Sequence, residues 1–156
     1  MHYILIAALA ALDQTVKYLV RANMKPGETI PVIENILHIT YVRNDGGAFS
    51  ILQGHTVLLT VIPAALILAV LTYIHRNRGD CGACLMAALS MICAGGIGNL
   101  IDRVRFSAVV DFIDFRVFPV FNVADVCVCC GCGLILVGML FSGKRPGEGG
   151  EAGSDG

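Results

Sequence analysis

Four long hydrophobic runs, separated by shorter polar stretches, dominate this chain. A membrane-spanning helix needs about 20 largely apolar residues, because each residue adds about 1.5 Å of rise. The runs that reach this length are residues 3–21, 56–74, 83–101 and 123–141. Their length predicts an all-α membrane protein with four transmembrane helices.

The composition supports this interpretation. Of the 156 residues, 56% are hydrophobic and only 15% are charged, whereas about a quarter of the residues in a typical soluble domain are charged. The mean hydropathy is +0.74, and the chain is long enough for one small helical bundle. The net charge is −1 with no basic block, which argues against nucleic acid as a partner.

The segments between the runs predict a small β-sheet region. Residues 22–55 contain several Gly and Pro breakers around a β-branched and aromatic stretch, residues 36–42, which is typical of a strand. Residues 102–122 form a second connecting segment, part of which reads as extended. We therefore expect a single membrane domain over residues 1–143. The Gly-rich, acidic residues 144–156 are expected to be a disordered tail.

An even number of spans puts both termini on one side of the membrane and the two longer connecting segments on the other. The first hydrophobic run has no basic residue before it, so we interpret it as a retained helix and not as a cleaved signal peptide. Lys and Arg residues occur on both sides, so charge counting leaves the orientation open. Connectivity alone places many polar residues at the same depth, near the side of the membrane that carries the two longer connecting segments. They are Lys17, Arg21, Asn44, Asn99, Asp102, Arg103, Asp111, Asp114, Asn122 and Asp125.

Two of these acids carry the candidate chemistry. Asp111 and Asp125 are fourteen positions apart, across the connection between the third and fourth spans. A structural interpretation of Asp125 is that it stabilises the start of the fourth helix, which Asn122 can cap. Two neighbouring carboxylates, however, cannot both ionise readily, so one keeps its proton while the other acts as a base. Such a pair can activate water without a metal or a covalent intermediate.

Other polar residues are spaced to share helical faces. Asp13 and Lys17 are four positions apart, and so are Asn99 and Arg103, with Asp102 between the latter two. Asp13 and Lys17 either neutralise each other within the span or help to shape the site, and the sequence leaves both roles open. Asp102 is expected to be ion-paired and structural.

Two further features are interpreted as structural. All of residues 94–98 except Ile97 are Ala or Gly, and this run of small residues predicts close helix packing in lipid. A metal or redox site is a competing hypothesis for the cysteines, some of which have C-x-x-C spacing, but on a spanning helix they point in different directions. We therefore predict no metal site and no cofactor. The seven cysteines are Cys81, Cys84, Cys93, Cys127, Cys129, Cys130 and Cys132.

Five motifs, taken in order, resemble those of the lipoprotein signal peptidases, the bacterial type II signal peptidase family. They extend from the first span to the fourth. Each is weak alone, but their order and spacing together are specific. The motifs are residues 13–17 (DQTVK), 44–49 (NDGGAF), 98–103 (GNLIDR), 110–112 (VDF) and 121–125 (FNVAD).

This resemblance implies an aspartic endopeptidase of the bacterial cytoplasmic (inner) membrane. Such enzymes cut diacylglyceryl-modified prolipoproteins just before the lipid-bearing cysteine. The expected partners are these precursors and membrane lipid, the expected state is a monomer, and no cofactor is expected. The resemblance also implies cytoplasmic termini and a site near the outer leaflet.

The resemblance also assigns roles to individual residues. Asp111 and Asp125 would form the catalytic dyad. The residues that would bind substrate or support the site are Asp13, Lys17, Asn44, Gly46, Asn99, Asp102, Arg103 and Asn122. The leading alternative from a different class is a small proton- or ion-coupled transporter subunit, because intramembrane acids also form proton relays. A relay needs polar residues through the full membrane depth, and the second span has no charged residue.

Overall fold

In the part of the chain that the structure describes, four long helices and a three-stranded sheet make up the fold. The computed structural model describes residues 1–45, 56–77, 79 and 81–142. The elements are α1 (His2–Asn23), β1 (Thr29–Ile33), β2 (Leu37–Asn44), α2 (Thr56–Asn77), α3 (Ala83–Phe106), β3 (Val109–Asp114) and α4 (Val123–Ser142). All four helices are long and apolar enough to cross a membrane. The predicted four-span fold with a small sheet is confirmed.

α2 and α3 are longer than the hydrophobic runs that predict them. α2 continues to Asn77 and α3 to Phe106, so residues 102–106 belong to a helix and not to a connecting segment. Arg103 and Arg105 lie in the last turn of α3, where cations interact favourably with the helix dipole. Ser107 ends the helix in the left-handed conformation, and its N–H donates to the Arg103 carbonyl at 2.9 Å.

Small residues let α3 pack closely against each of the other helices. A side chain at Gly95 would collide with the backbone of α4 at Ala124, and one at Gly96 would touch a side chain of α2. A side chain at Gly98 would occupy the space of the Asp13 carboxylate from α1. The predicted packing role of this small-residue run is therefore confirmed, and α3 lies at the centre of the bundle.

The buried face of α1 follows a regular spacing. Its members alternate four and three positions apart, as in the packing seam of a coiled coil. Two of them, Asp13 and Lys17, are charged. An ion pair therefore lies within the contact between α1 and α3. The buried residues are Ile6, Ala10, Asp13, Lys17 and Val20.

The sheet determines where the chain enters α4. The strands are antiparallel in the order β1-β2-β3. After β3 the chain turns back, and Phe121 pairs with Ile113 through N–H to carbonyl bonds of 2.8 and 3.1 Å. This pairing brings the residues that follow Phe121 beside β3, so the first turn of α4 begins next to Asp111.

Candidate active site

Asp111 lies on β3 and is almost completely buried, with 3% of its surface exposed. Both of its carboxylate oxygens accept hydrogen bonds from amide side chains. Asn44 at the end of β2 donates to Oδ2 at 2.9 Å, and Asn122 donates to Oδ1 at 2.6 Å. Strand pairing supplies the first donor, since β2 and β3 are neighbours in the sheet.

Asp125 is held in the first turn of α4 by a reciprocal cap. The Asn122 side chain accepts from the Asp125 N–H at 3.0 Å, while the Asp125 carboxylate accepts from the Asn122 N–H at 3.2 Å. Asn99 of α3 also donates to Asp125 Oδ1 at 2.8 Å. The expected capping role of Asn122 is therefore present, and Asp125 is half-buried.

Asn122 connects the two acids. Its amide nitrogen donates to Asp111 and also to Asn99 Oδ1, the latter at 3.1 Å. Because Asn99 in turn donates to Asp125, the two carboxylates share one network of amide groups with fixed directions. Acids that are fourteen positions apart in the sequence are thus joined through two asparagines.

The surroundings of Asp111 favour its protonated form. Burial, together with the nearby charge of Asp125, raises the pKa of this carboxyl to about 6. Hydrogen bonds from Asn44 and Asn122 act in the opposite direction, with a smaller effect than burial. One acid of the pair is therefore poised to hold a proton close to neutral pH.

A cavity of about 220 Å³ opens in front of the pair. Its polar wall includes the two acids, Asn44, Asn99 and Arg103, and its other wall comes from the segment before α4. The Arg103 guanidinium is close enough to interact electrostatically with both acids. The lining residues are Asn44, Asn99, Arg103, Val109, Asp111, Phe118, Pro119, Val120, Phe121 and Asp125.

Lys17 is a fully buried ammonium group beneath this cavity. Its Nζ contacts Asn99 Oδ1 at 2.8 Å, Asp13 Oδ2 at 2.9 Å and Asp102 Oδ2 at 3.3 Å. Three acceptors match its three protons. The ion pair of Asp13 and Lys17 therefore exists, and it also fixes the amide that holds Asp125.

Asp102 is the other centre of the buried network and is fully buried. Its carboxylate accepts from the Val110 N–H at 3.1 Å, and it pairs with Arg21 at 3.3 Å as well as with Lys17. The expected ion-paired role of Asp102 agrees with this geometry. Gln14 also donates to Asp102, at 3.3 Å, and to the Gly98 carbonyl at 3.0 Å.

No site role was predicted for Gln14 or Arg21 from the sequence. Both lie on the helix that carries Asp13 and Lys17, and Arg21 follows Lys17 by four positions, which was the available signal. Gly46, which was expected to support the site, lies outside the described residues.

Asp114 belongs to a separate cluster on the sheet. It accepts from the Thr40 hydroxyl at 2.7 Å and from the Arg116 N–H at 2.8 Å. The Thr40 hydrogen bond, followed by the bonds and charge of Arg116, holds the pKa of this carboxyl below its usual value. Asp114 therefore favours the ionised form and does not line the cavity with Asp111.

None of the cysteines lines the cavity in front of the two acids. Cys93 and Cys127 are buried between helices, whereas Cys129, Cys130 and Cys132 are exposed along α4. Among the described residues, no group of three or more His, Cys, Asp or Glu is arranged to hold a metal ion.

Comparison with known proteins gives a consistent result along nearly the whole chain. Residues 5–141 match the family model described as signal peptidase (SPase) II. A lipoprotein signal peptidase of Halothermothrix orenii is 45% identical over 95% of this chain and 100% of the relative. One of Moorella thermoacetica is 41% identical over 94% of this chain and 100% of the relative.

Solved structures agree in fold. A bacterial membrane enzyme determined by the in meso method at 2.3 Å superposes with a TM-score of 0.85 at 33% identity, covering 96% of this chain and 94% of that one. A second such enzyme, at 1.9 Å, gives a TM-score of 0.80 at 34% identity, covering 89% and 92% of the two chains.

Proposed function

The chain belongs to the signal peptidase II family of multi-pass bacterial inner-membrane proteases, which remove signal peptides from prolipoproteins, and we propose that it does so by an aspartic mechanism. The observation that carries the proposal is the shared amide network, in which Asn122 bonds Asp111 and caps the turn that holds Asp125. The alternative of a transporter subunit is not supported, because the family match covers residues 5–141.

In the proposed reaction one carboxylate is ionised and the other is protonated. The ionised acid takes a proton from water as the water oxygen attacks the scissile carbonyl carbon. The tetrahedral intermediate then collapses, and the carbon–nitrogen bond breaks as the protonated acid donates its proton to the leaving amine. The raised pKa of Asp111 makes it the better candidate for the proton donor.

The residues around the dyad are proposed to hold the peptide and the acids in place. Arg103 and Asn44 line the cavity beside the acids and can bind substrate carbonyl groups or the developing oxyanion. Asn99 and Lys17 are positioning residues, because Lys17 fixes the amide that donates to Asp125. Asp13 and Asp102 neutralise the buried lysine.

Orientation and assembly complete the proposal. Diacylglyceryl-modified precursors present their cleavage site at the outer face of the membrane, so the site would lie near the outer leaflet with both termini in the cytoplasm. Residues 1–143 would act as one membrane domain surrounded by lipid and as a monomer, because both acids and their amide partners come from one chain.

Cleavage by purified protein tests this function directly. We expect the protein in detergent to release the signal peptide from a diacylglyceryl-modified precursor, with EDTA present and with the new N-terminus at the modified cysteine by mass spectrometry. The matched control is the same precursor without the lipid, which should be cut far more slowly. A folded protein that leaves the lipidated precursor intact, or that cuts only after metal is added, contradicts the proposal.

The pH dependence of cleavage is the next expected result. If Asp111 is the proton donor, kcat/KM should be sustained below its pKa of about 6 and should fall as the pH rises through that value. The acidic limb should reflect protonation of the base, and both limbs belong to the coupled pair. A profile that keeps rising between pH 6 and pH 9, measured with the lipidated precursor, would contradict this assignment of the proton.

Arg103 should be needed for turnover and not only for anchoring at the membrane edge. Arg103→Ala should lower kcat/KM by about 10- to 100-fold, the range expected when a charged hydrogen bond to the reacting group is lost. Arg103→Lys is the matched control. Lysine keeps the charge but not the planar fork of donors, so only partial recovery is expected. Near-normal turnover by Arg103→Lys would favour the simpler role of a side chain that extends to the membrane surface.

A further inference from the structure

A separate cavity of about 370 Å³ lies between the C-terminal parts of α1 and α3. It shares no lining residue with the cavity in front of Asp111 and Asp125. Two arginines, one from each helix, line it together with aromatic and amide side chains. The lining residues are Gln14, Tyr18, Arg21, Ala22, Arg105 and Phe106.

The Phe106 ring holds two guanidinium groups beside this cavity. The guanidinium carbon of Arg21 lies 4.5 Å from the centre of the ring, and that of Arg105 lies 5.3 Å from it. Arg21 is fixed a second time, because its Nη1 donates to Asp102 at 3.3 Å. That bond uses only one of the several donors of a guanidinium group. Arg21 therefore keeps donors for a ligand and is already held in place at the cavity.

The charges around the cavity leave an excess of one positive charge. Asp13 and Asp102 are balanced by Lys17 and Arg21, which pair with them. Arg105 is exposed and forms no ion pair with the residues that the structure describes. Two guanidinium groups that share one ring repel each other. An anion between them would be attracted by both and would balance the charge of Arg105.

The cavity lies where the helices reach the surface of the membrane. α1 and α3 are both candidate spans, and they end at Asn23 and Phe106. Tyr18 is 63% exposed, and tyrosine is enriched where membrane hydrocarbon meets the headgroups. Further into the span, the exposed residues Ala11 and Thr15 lie on the same face of α1 as Tyr18. This face offers a surface for an acyl chain directly below the two arginines.

We propose that this cavity binds the headgroup of an anionic phospholipid, with the phosphate between Arg21 and Arg105. A phosphodiester carries one negative charge, which matches the excess charge here, and guanidinium groups bind phosphate oxygens through paired donors. The Tyr18 hydroxyl and the Gln14 amide can bond the hydroxyl groups of a headgroup. A headgroup that carries its own quaternary ammonium would bring another cation to the arginines, so it should bind less tightly.

Thermal unfolding of the unsubstituted protein in an uncharged detergent tests this binding without any substrate. Dioleoyl phosphatidylglycerol should raise the unfolding midpoint as its concentration rises, because a ligand of the folded state stabilises that state. Dioleoyl phosphatidylcholine, which has the same acyl chains, should raise the midpoint less, and inorganic phosphate should leave it unchanged.

Each comparison can overturn part of the proposal. No rise with phosphatidylglycerol would remove the site. An equal rise with phosphatidylcholine would contradict the charge match, and an equal rise with inorganic phosphate would contradict the assignment to a lipid.

Native mass spectrometry of variants tests whether the lipid binds at this cavity. Arg105→Gln should weaken phosphatidylglycerol binding about tenfold, as expected for the loss of a hydrogen bond between charged groups. Lys25→Gln is the matched control, because it removes the same charge from an exposed residue just beyond α1 that does not line the cavity. Its affinity should be nearly unchanged. Unsubstituted affinity in Arg105→Gln, or equal losses in both variants, would mean that the lipid is not held by this cavity.

Discussion

Asp111→Asn and Asp125→Asn should each lower cleavage of the lipidated precursor by about 10³-fold or more, which is within the range for loss of a general acid or base. Each substitution keeps the shape of the side chain but removes its ability to exchange a proton. The two acids share Asn122 and line one cavity, so they are expected to act as a unit. The double variant should therefore be little worse than either single variant.

Both variants should remain folded, and Asp111→Asn should be at least as stable as the unsubstituted protein. Burial raises the pKa of Asp111 from 3.8 to about 6, so the folded state holds this proton more tightly than the unfolded chain. The stabilisation that this bound proton gives to the folded state is complete below pH 3.8. It is lost as the pH rises through about 6. Above this range the ionised side chain costs about 3 kcal/mol. A neutral amide removes that cost but can accept from only one of Asn44 and Asn122, and loss of the other hydrogen bond costs about 1–3 kcal/mol. Thermal unfolding in detergent at pH 7.5 measures the difference.

Asp114→Asn is the matched control for these variants. It is the same substitution on the same strand, but Asp114 bonds Thr40 and Arg116 and does not line the cavity. We expect this variant to keep most of its turnover. A fully active Asp111→Asn enzyme, or a well-folded Asp114→Asn enzyme without activity, would show that the acids have been assigned wrongly.

Topology explains why the acid pair could be predicted. The four apolar runs fix the number of spans, and an even number puts the ends of α1 and α3 and the start of α4 at one level. That placement puts Asp111 and Asp125 on one side of the membrane together with Asp102 and Asp114, and the resemblance to the family selects the first two. The i, i+4 spacing of Asp13 and Lys17 predicts their ion pair from helix geometry alone.

The features that could not be predicted depend on tertiary contacts. β1 is five residues long and contains Pro31, so nothing local identifies it before β2 pairs with it. The last turn of α3 is polar, and it remains helical because its Asp102 is neutralised by Lys17 and Arg21 from α1. No spacing within one segment encodes such a contact between helices.

Lys17 pairs with Asp13 on its own helix and with Asp102 on α3. Its removal should therefore have the largest effect on stability. Lys17→Met keeps a long apolar stem but leaves the carboxylates of Asp13 and Asp102, both buried, without their shared cation. Breaking a buried ion pair from one side typically costs about 3–5 kcal/mol, so the midpoint of thermal unfolding in detergent should fall on the order of 10 °C. Turnover at temperatures where the variant is folded should also fall, because Asn99 loses the contact that directs its amide toward Asp125.

A second substitution distinguishes loss of charge balance from loss of packing. Asp13→Asn added to Lys17→Met removes one of the two stranded carboxylates, so the double variant should be more stable than Lys17→Met alone. Leu19→Met, on the exposed face of the same helix, controls for methionine in α1 and should leave the midpoint unchanged. Arg21 remains able to pair with Asp102 at 3.3 Å, which is why Asp13 is the carboxylate to neutralise. An unchanged midpoint for Lys17→Met, or a double variant less stable than the single one, would mean that packing and not charge holds this helix contact together.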